Sequence, residues 1–449
     1  MRGAVDGIRS AEDRITDTRP GVPLLTFRIA LTLCVFVLVL AIGTIGVAIS
    51  ADAEMTMALR SVLPPGHYLV LFQNNAELRP SGGFIGSFAV VDIGRTGIER
   101  YQIDTNINKR DKAFTDKYHI ALPGPMAQGL PGITWAMRDA NWDLDFRDAA
   151  RRVAWFYEQE GGEAVDGVIA INGSVVQDVL RLTGPITLAQ LDVPLTADNF
   201  FDVLAKEIEL DYYLDPVQQA ANEPKSVLTK LLPALLARVR EPRIAVQLPR
   251  LLRQELDENQ VQLFQYDPAL ERRIIARGWA GEIPTTDGDY LYLNNAQIVG
   301  YKSSLSVAQE SQLQIRSQAD GLLTHQLTVE RTHTGDGVWP DFRNNNYLRI
   351  VVPRGSQFMS ATLNGTSTTT VDTTLEADKT VFGIWLTTDP GYTSSLQLSY
   401  RTPASVSGSD YELYYQKQSG VLQEQLTVLK DEQQLHSGTV VADLLLRPQ

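Results

Sequence analysis

The stretch YLVLFQNNAELRPSGGFIGSF, residues 68–88, contains the pattern on which the fold of this chain depends. The apolar run His67–Gln73 has the β-forming residues of a buried strand, the polar segment Asn74–Gly83 follows it, and Phe84–Ile93 resumes the strand pattern. Further along, Val165–Ile171 is another short apolar strand, with segments of helical spacing on either side. This alternation of strands and helices predicts an α/β layered domain.

The chain changes character after about residue 310. Strand-like segments separated by Gly, Asn, Pro and Ser follow, namely Ser311–Ser317, Leu323–Thr334, Tyr347–Val352, Val381–Thr387, Ser394–Tyr400 and Tyr411–Gln416. Short strands with turn signals between them are typical of an all-β sandwich. We therefore expect an α/β domain over residues 50–310 and a β-sandwich domain over residues 311–449.

An uncharged apolar segment precedes both domains. Ile29–Ile49 has 21 residues without a charge, and at 1.5 Å per residue it would form about 31 Å of helix, close to the bilayer core of about 30 Å. Residues 1–28 before it contain five Arg against four acids, whereas Asp52 and Glu54 follow it. This charge asymmetry predicts a transmembrane helix over residues 29–49, a cytoplasmic tail over residues 1–28, and an extracytoplasmic location for the rest.

A cleaved signal peptide is the alternative interpretation of this segment. Ala51-Asp52-Ala53 has the A-x-A form of a cleavage site. The apolar run is longer than the usual signal-peptide core of about 7–15 residues, and the polar segment before it is also long. We therefore expect an uncleaved signal anchor.

Composition excludes several classes of function. A net charge of −13, from 40 basic and 53 acidic residues, argues against a nucleic-acid partner. One Cys and five scattered His leave little for a Cys- or His-based metal site. The chain has no Walker A sequence and no strand–GxGxxG–helix unit, so we expect no nucleotide cofactor. It also lacks the G-x-S-x-G sequence of a serine hydrolase.

The polar segment Asn74–Gly83 is the first candidate site, because ligands of α/β sheets gather at strand ends. The guanidinium of Arg79 offers a planar fork for phosphate or carboxylate, and glycine amides can form an anion-binding concavity. The candidate ligand-binding residues here are Asn74, Asn75, Ser81, Gly82 and Gly83. The alternative is that these residues only build a turn, with Arg79 paired to Glu77 or solvated.

The segment Arg138–Asp145 is the second candidate. Asp139, Asn141 and Asp143 alternate like the start of a calcium loop, but the glycine and the glutamate that an EF-hand requires further along are missing. A carboxylate pair for Mg²⁺, formed by Asp139 and Asp143, is one interpretation. Helix capping by Asp145 is the other.

Two further segments carry concentrated charge. Asp104–Asp111 combines carboxylates and amides with Arg110 and is a weaker version of the same kind of site. Lys225–Arg253 contains seven basic residues and one acid, within an acidic chain. This basic segment could bind an anionic polymer or lipid headgroups, or it could be a solvated helix face.

Five sequence motifs resemble those of the bacterial domain-of-unknown-function 4012 family. They are the opening stretch together with MRDANWDLDF, residues 137–146; VDGVIAINGSVVQDVLRLTGPI, 165–186; NNNYLRIVVPRGS, 344–356; and YELYYQKQSG, 411–420. The resemblance extends over roughly residues 60–435. It implies a membrane-anchored, extracytoplasmic protein associated with envelope polysaccharide.

A more distant outline is similar to the LytR–CpsA–Psr phosphotransferases, which attach polyprenyl-pyrophosphate-linked glycopolymers to the cell wall. The shared features are the anchor, a strand leading into a polar loop with an Arg, a Val165-Asp166 strand, and a helix that ends before Gly184-Pro185-Ile186. The likeness implies a phosphotransferase with Mg²⁺ as cofactor and an anionic lipid carrier or envelope glycan as partner.

The phosphotransferase likeness also implies roles for individual residues. Arg79, with Arg110 or Arg138, would clamp the pyrophosphate, and Asp139 or Glu77 would hold Mg²⁺ or act as base. Glu77, Arg79 and Asp139 are therefore the candidate catalytic residues. The alternative hypothesis is a non-catalytic envelope scaffold that binds a glycan or a protein.

Overall fold

The computed structural model describes residues 53–95, 97–189, 191–211, 226–299, 301–406 and 411–448. The fold is mixed α/β and contains a five-stranded, a seven-stranded and a six-stranded sheet. The predicted transmembrane segment 29–49 and the tail before it lie outside the described residues. Within the described part of the chain, no helix has both the length and the apolar character needed to span a membrane.

The five-stranded sheet forms the centre of the first unit, here called the α/β unit. Its order is β3-β2-β1-β4-β5, with β1 parallel to β4 and the other neighbours antiparallel. The strands are β1 Gly66–Arg79, β2 Gly82–Gly94, β3 Gly97–Asp104, β4 Gly167–Asn172 and β5 Val261–Gln265. The helices are α1 Ala53–Arg60, α2 Ile107–Thr115, α3 Gly124–Gly129, α4 Phe146–Gln159, α5 Gly173–Thr183, α6 Phe200–Ala205, α7 Ser226–Val239, α8 Pro242–Ala245, α9 Leu248–Asp257 and α10 Pro268–Ile275.

Helices cover both faces of this sheet. Because successive side chains of a strand point to opposite faces, Tyr68 and Val70 of β1 pack in one core with α1, α5, α7 and α9. Leu69 and Leu71 pack in a second core with α4. The predicted α/β layered domain is therefore confirmed as a sheet between two helical layers.

The second unit, here called the sandwich unit, consists of the other two sheets packed around one apolar core. The seven-stranded sheet has the order β11-β10-β14-β8-β7-β16-β17, and the six-stranded sheet has the order β12-β13-β9-β6-β15-β18. The strands are β6 Asp289–Gln297, β7 Val307–Ser317, β8 Leu323–His333, β9 Asn344–Pro353, β10 Gln357–Leu363, β11 Thr366–Thr368, β12 Asp372–Glu376, β13 Lys379–Thr388, β14 Thr393–Thr402, β15 Leu413–Gln416, β16 Glu424–Lys430, β17 Gln433–Val440 and β18 Leu444–Leu446. Apolar side chains of both sheets share the core.

Strand β6 lies before residue 311, where we expected the β-sandwich to begin. It pairs with β9 and β15 and contributes Leu291 and Leu293 to the sandwich core. Every residue of β6 is buried, so the strand lacks the polar-outward alternation that identified the later strands. The sandwich unit therefore includes residues that precede the expected boundary.

The expected polar loop Asn74–Gly83 is a strand hairpin. Strand β1 continues to Arg79 and β2 begins at Gly82, so Pro80 and Ser81 alone form the turn. The β1–β2 register shifts between Asn74 and Leu78, as at a bulge. The loop prediction was wrong because the backbone of this segment stays paired with β2, while Asn75 and Arg79 find partners in the other unit at Gly420 and Gln297.

The tip of this hairpin packs against the sandwich unit. The carbonyl of Pro80 accepts hydrogen bonds from Asn294 Nδ2 at 2.7 Å and from the Tyr292 hydroxyl at 3.3 Å. Gln418 Nε2 donates to the carbonyls of Arg79 at 3.1 Å and Asn295 at 2.7 Å. The bonds to the carbonyls of Arg79 and Pro80 join the two units at the tip of the hairpin, and the bond to Asn295 orients Gln418 within the sandwich unit.

Candidate functional site

The three candidate catalytic residues lie together, and Arg79 is at their centre. Arg79 Nη2 lies 2.9 Å from Glu77 Oε1 and 3.0 Å from Asp139 Oδ1, and Arg79 Nε donates to the same oxygen of Asp139 at 3.2 Å. Its Nη1 donates to the carbonyls of Leu78 and Gln297. These contacts occupy the five N–H donors of a guanidinium. Only 3% of the residue is exposed.

The charge of Arg79 is compensated within the protein. Burial alone would lower the pKa of Arg79, but Glu77 and Asp139 raise it above its usual value. The guanidinium also lies over the ring of Phe84, 5.2 Å from its centroid. This arrangement includes the Arg79–Glu77 ion pair of the alternative interpretation, and the catalytic role of the three residues stays a prediction.

The network continues through the candidate ligand-binding arginines. Arg138 Nε lies 3.4 Å from Asp139 Oδ2, and Arg138 Nη1 lies 3.5 Å from Asp111 Oδ2. Arg110 Nε lies 3.4 Å from Asp104 Oδ2, and its Nη1 donates to the carbonyl of Glu160 at 3.3 Å. The guanidinium of Arg110 also lies over the rings of Phe88 and Tyr157. Both arginines thus have acidic partners.

Two buried carboxyl groups, Asp111 and Glu160, end this network. Burial raises the pKa of Asp111, and Arg138 partly opposes that shift. Burial also raises the pKa of Glu160, and the neighbouring Asp111 carboxyl raises it further. The pair therefore retains a proton at pH values where ordinary carboxyl groups have lost theirs.

The candidate metal ligands have arginine partners. Asp143 receives two hydrogen bonds from Arg152, at 2.6 and 3.0 Å, and Asp139 is held by Arg79 and Arg138. Among the residues that the structure describes, no group of three or more His, Cys, Asp or Glu is arranged to hold a metal ion. The Mg²⁺ expectation stays a prediction.

The polar residues of the hairpin make structural contacts. Asn75 Nδ2 donates to the carbonyl of Gly420 at 3.0 Å, and its Oδ1 accepts from Ser174 N at 3.2 Å. Asn74 Oδ1 accepts from the backbone of Ala76 at 3.1 Å, and the Ser81 hydroxyl donates to the carbonyl of Asn141 at 3.3 Å.

The two glycines of the hairpin are needed for close packing. Gly82 has φ +134°, and a Cβ there would lie 2.1 Å from Gln73 Oε1. A Cβ at Gly83 would lie 2.2 Å from the backbone carbon of Asn74. A side chain at either position would collide with β1, which accounts for both glycines without a ligand.

The predicted basic segment, as far as it is described, contains several ion pairs. Arg238 and Arg243 lie 3.3 and 3.1 Å from the carboxylate of Glu241. Arg253 lies 3.7 Å from both Glu54 and Asp257. These pairs favour the interpretation as a solvated helix face.

A cleft of about 420 Å³ lies between the two units and is lined by many polar side chains; it is here called the interdomain cleft. Asn75 and Leu78 of β1 form one wall, and residues of the sandwich unit form the rest. The lining residues with polar side chains are Asn75, Asn295, Ser304, Gln309, Glu310, Arg331, Thr334, Gln423, Glu424 and Gln425. Leu305 and Leu422 add exposed apolar surface to it.

Most residues of this cleft were not among the candidates predicted from the sequence. Alternate residues of β8 face the core, so the chain places Arg331 in line with Leu327 and Val329. An arginine in the inward register of β8, which also holds His325 and His333, was the available signal. Asn75 was included only because it follows a predicted strand.

One family model matches part of the chain. Residues 64–208 match the family described as "Protein of unknown function (DUF4012)". The match confirms the expected resemblance over that part of the chain, which includes the β1–β2 hairpin and the segment Arg138–Asp145. The description names no activity. The similarity to LytR–CpsA–Psr phosphotransferases stays a prediction.

Other comparisons give weak likenesses. No curated protein matches the sequence. A candidate nutrient-binding protein of Legionella pneumophila has 9% identity and a TM-score of 0.23, over 32% of this chain and 54% of that one. Leukotriene A4 hydrolase of Saccharomyces cerevisiae has 6% identity and a TM-score of 0.17, over 28% and 24% of the two chains. An M1 zinc metallopeptidase of Deinococcus radiodurans has 14% identity and a TM-score of 0.14, over 28% and 33%. The chain thus spans about half of the first protein and a third or less of the others, and no activity is transferred.

Replacing Arg79 tests whether this residue is structural. The substitution Arg79→Met would leave Glu77 and Asp139 without their buried partner, so we expect a loss of about 3–5 kcal/mol in the free energy of unfolding. Arg100→Met, at an exposed ion pair with Asp92, is the control and should cost about 0–1 kcal/mol. Thermal unfolding of the full chain in a mild detergent measures both. An unchanged unfolding temperature in R79M, with loss of ligand binding, would contradict a structural role.

The Asp111–Glu160 pair predicts a dependence of stability on pH. In the unfolded chain, carboxyl groups titrate near pH 4. Each unit by which the pKa of a group differs between the folded and the unfolded state changes the free energy of unfolding by up to about 1.4 kcal/mol. Above that pH the folded pair binds more protons than the unfolded chain, so the free energy of unfolding falls as pH rises until the pair ionises. Glu160→Gln should reduce this decline, measured as unfolding temperature between pH 5 and pH 8. Glu158→Gln, at an exposed position on α4, should follow the unmodified protein, and a decline equally steep in E160Q would contradict the assignment.

Proposed function

We propose that this protein is a membrane-anchored, extracytoplasmic protein of the bacterial cell envelope that binds an envelope glycan in the interdomain cleft. The observation that carries the proposal is the lining of that cleft, in which amide, hydroxyl and charged side chains surround two exposed leucines. Sugars present hydroxyl groups and apolar C–H faces, and this mixture of groups suits both. The volume of about 420 Å³ falls in the usual range for ligand sites, about 300–1,000 Å³.

The apolar segment near the N-terminus and the charges on either side of it support the envelope location. The matched region begins at residue 64, shortly after the apolar segment Ile29–Ile49. An anchor in that position would hold both units outside the cytoplasm and close to the membrane.

Fractionation of cells tests the anchor. The full chain should remain in the membrane fraction after a high-salt wash, and protease added to intact spheroplasts should degrade the part after residue 50. Release of the protein by salt, or its protection from external protease, would contradict the proposed topology. A cytoplasmic marker protein controls for lysis.

Transfer of a polyprenyl-pyrophosphate-linked glycopolymer is the second candidate function. It is favoured by the contact of Glu77, Arg79, Asp139 and Arg138 in one network. The mutual pairing of these charges favours binding over transfer, because a phosphoryl group would have to displace the partners of Arg79. Phosphoryl transfer breaks the bond between the two phosphates, so that one phosphate stays on the glycopolymer and one on the lipid, and Mg²⁺-dependent release of polyprenyl monophosphate would favour this second function.

Substitutions on the cleft wall test glycan binding. Leu422 and Gln423 are exposed residues of the cleft, so the double variant Leu422→Ala, Gln423→Ala should fold normally and bind polysaccharide from the source bacterium about tenfold more weakly, a loss of about 1.4 kcal/mol. Isothermal titration with the full chain in detergent measures the affinity. Gln397→Ala, on an exposed position of β14, is the matched control. Equal binding by both variants would place the glycan elsewhere.

A further inference from the structure

Arg331 is a fully buried arginine on the wall of the interdomain cleft. Only 3% of the residue is exposed. Its Nη1 donates to Gln309 Oε1 at 3.0 Å and to the side-chain oxygen of Asn295, and its Nη2 donates to Asn344 Oδ1 at 3.1 Å. Its Nε is buried and has no hydrogen-bond partner in the described structure. The guanidinium is thus surrounded by neutral amides.

Other buried arginines of the chain contact carboxylates. Arg79 has Glu77 and Asp139, and Arg349 has Glu376 at 2.9 Å. Among the described residues, no carboxylate lies within ion-pair distance of Arg331. Charges in protein interiors are ordinarily paired, because loss of hydration disfavours the charged form. Burial accordingly lowers the pKa of Arg331 to about 10, but the group remains a cation at neutral pH.

The carboxyl group of Glu424 acts electrostatically on Arg331 and raises its pKa, and Glu424 also lines the cleft. Its carboxyl group accepts a hydrogen bond from Gln309 Nε2 at 2.7 Å. Burial raises the pKa of Glu424. Lys417 is a second buried cation near Glu424, but its ammonium donates to the carbonyls of Glu258 and Gln418.

We propose that Arg331 binds an oxyanion on the glycan, a carboxylate or a phosphate diester, and so selects acidic polysaccharides. This inference rests on the proposed glycan-binding function and specifies the class of glycan. The planar guanidinium suits either oxyanion, because both accept parallel N–H bonds. The surrounding amides hold the side chain in place, and Nε provides a donor that is not used within the protein. An acidic substituent in the cleft would form the direct ion pair that no described carboxylate makes with Arg331.

The test compares three forms of polysaccharide extracted from the envelope of the source bacterium. The first is untreated, the second has its carboxyl groups reduced to alcohols, and the third has been treated with hydrofluoric acid to remove phosphate diesters. Isothermal titration with the full chain in detergent measures each affinity. We expect about a tenfold or larger loss for one of the treated forms, and that form identifies the oxyanion.

Two test variants, Arg331→Met and Glu424→Gln, assign the preference to Arg331, and Arg316→Met is the control. Arg331→Met should remove the difference between untreated and treated forms, whereas Arg316→Met, on an exposed position of β7, should preserve it. Glu424→Gln keeps an acceptor for Gln309 and removes the nearby acid, so it should strengthen binding of the untreated form. This second variant gives a result even if R331M does not fold.

The remaining outcomes distinguish a failure of this inference from a failure of the proposed function. Equal binding of all three forms would overturn the selection of acidic glycans and leave glycan binding intact. Binding of none of them would overturn the proposed function itself. A preference for the untreated form that persists in R331M, or that is unchanged in E424Q, would overturn the role of Arg331.

Discussion

One strand, β1, lies at the centre of the α/β unit and reaches the sandwich unit with its end, and the rest of the structure depends on it. It has 14 residues, whereas a typical strand has about 5–6. Its first part pairs with β4 from Tyr68 to Gln73 and forms the centre of the five-stranded sheet. Its second part stays paired with β2 as far as Arg79, and the carbonyl of Arg79 accepts a hydrogen bond from Gln418 of the sandwich unit. The orientation of the two units is therefore set by a continuous piece of backbone.

Buried cations fix the contact between the units. Arg79, of the α/β unit, donates to the carbonyl of Gln297. Arg349 and Lys417, of the sandwich unit, donate to the carbonyls of Trp142 and Glu258. Apolar residues would often give equal or greater stability at such positions. We infer that these charges specify one orientation of the units, because each donor reaches across to the opposite unit.

Local patterns in the sequence predicted much of this fold. Helical spacing and an N-cap at Asp145 predicted α4, and Asp145 does accept a hydrogen bond from the backbone of Arg147. The alternation of apolar and polar residues predicted β7 and β8, whose burial alternates along the strand. These elements were predictable because their signals lie within a few residues of one another.

The candidate site was predictable only in part. The charge network joins Arg79 to Asp139, 60 positions away, and Asn75 bonds to Gly420, 345 positions away. Sequence spacing identified the chemical types in the hairpin, but it could not indicate that their partners lie in another unit. A side chain whose hydrogen-bond partner is far away in the sequence cannot be distinguished, from its neighbours in the sequence alone, from an exposed side chain that binds a ligand. Only the folded structure, which shows whether an internal partner is present, distinguishes a structural role from a ligand-binding one.

The position of the interdomain cleft has a consequence for binding. Its walls come from β1 of the α/β unit and from strands of the sandwich unit, and these walls are held together by the same hairpin contacts. A ligand would therefore meet a cleft whose shape is already set, and little of its binding free energy would be needed to order loops or to close the two units. The hairpin contacts thus fix the walls of the cleft relative to each other, and under the proposed function such a cleft would distinguish glycans by the charge and spacing of their substituents.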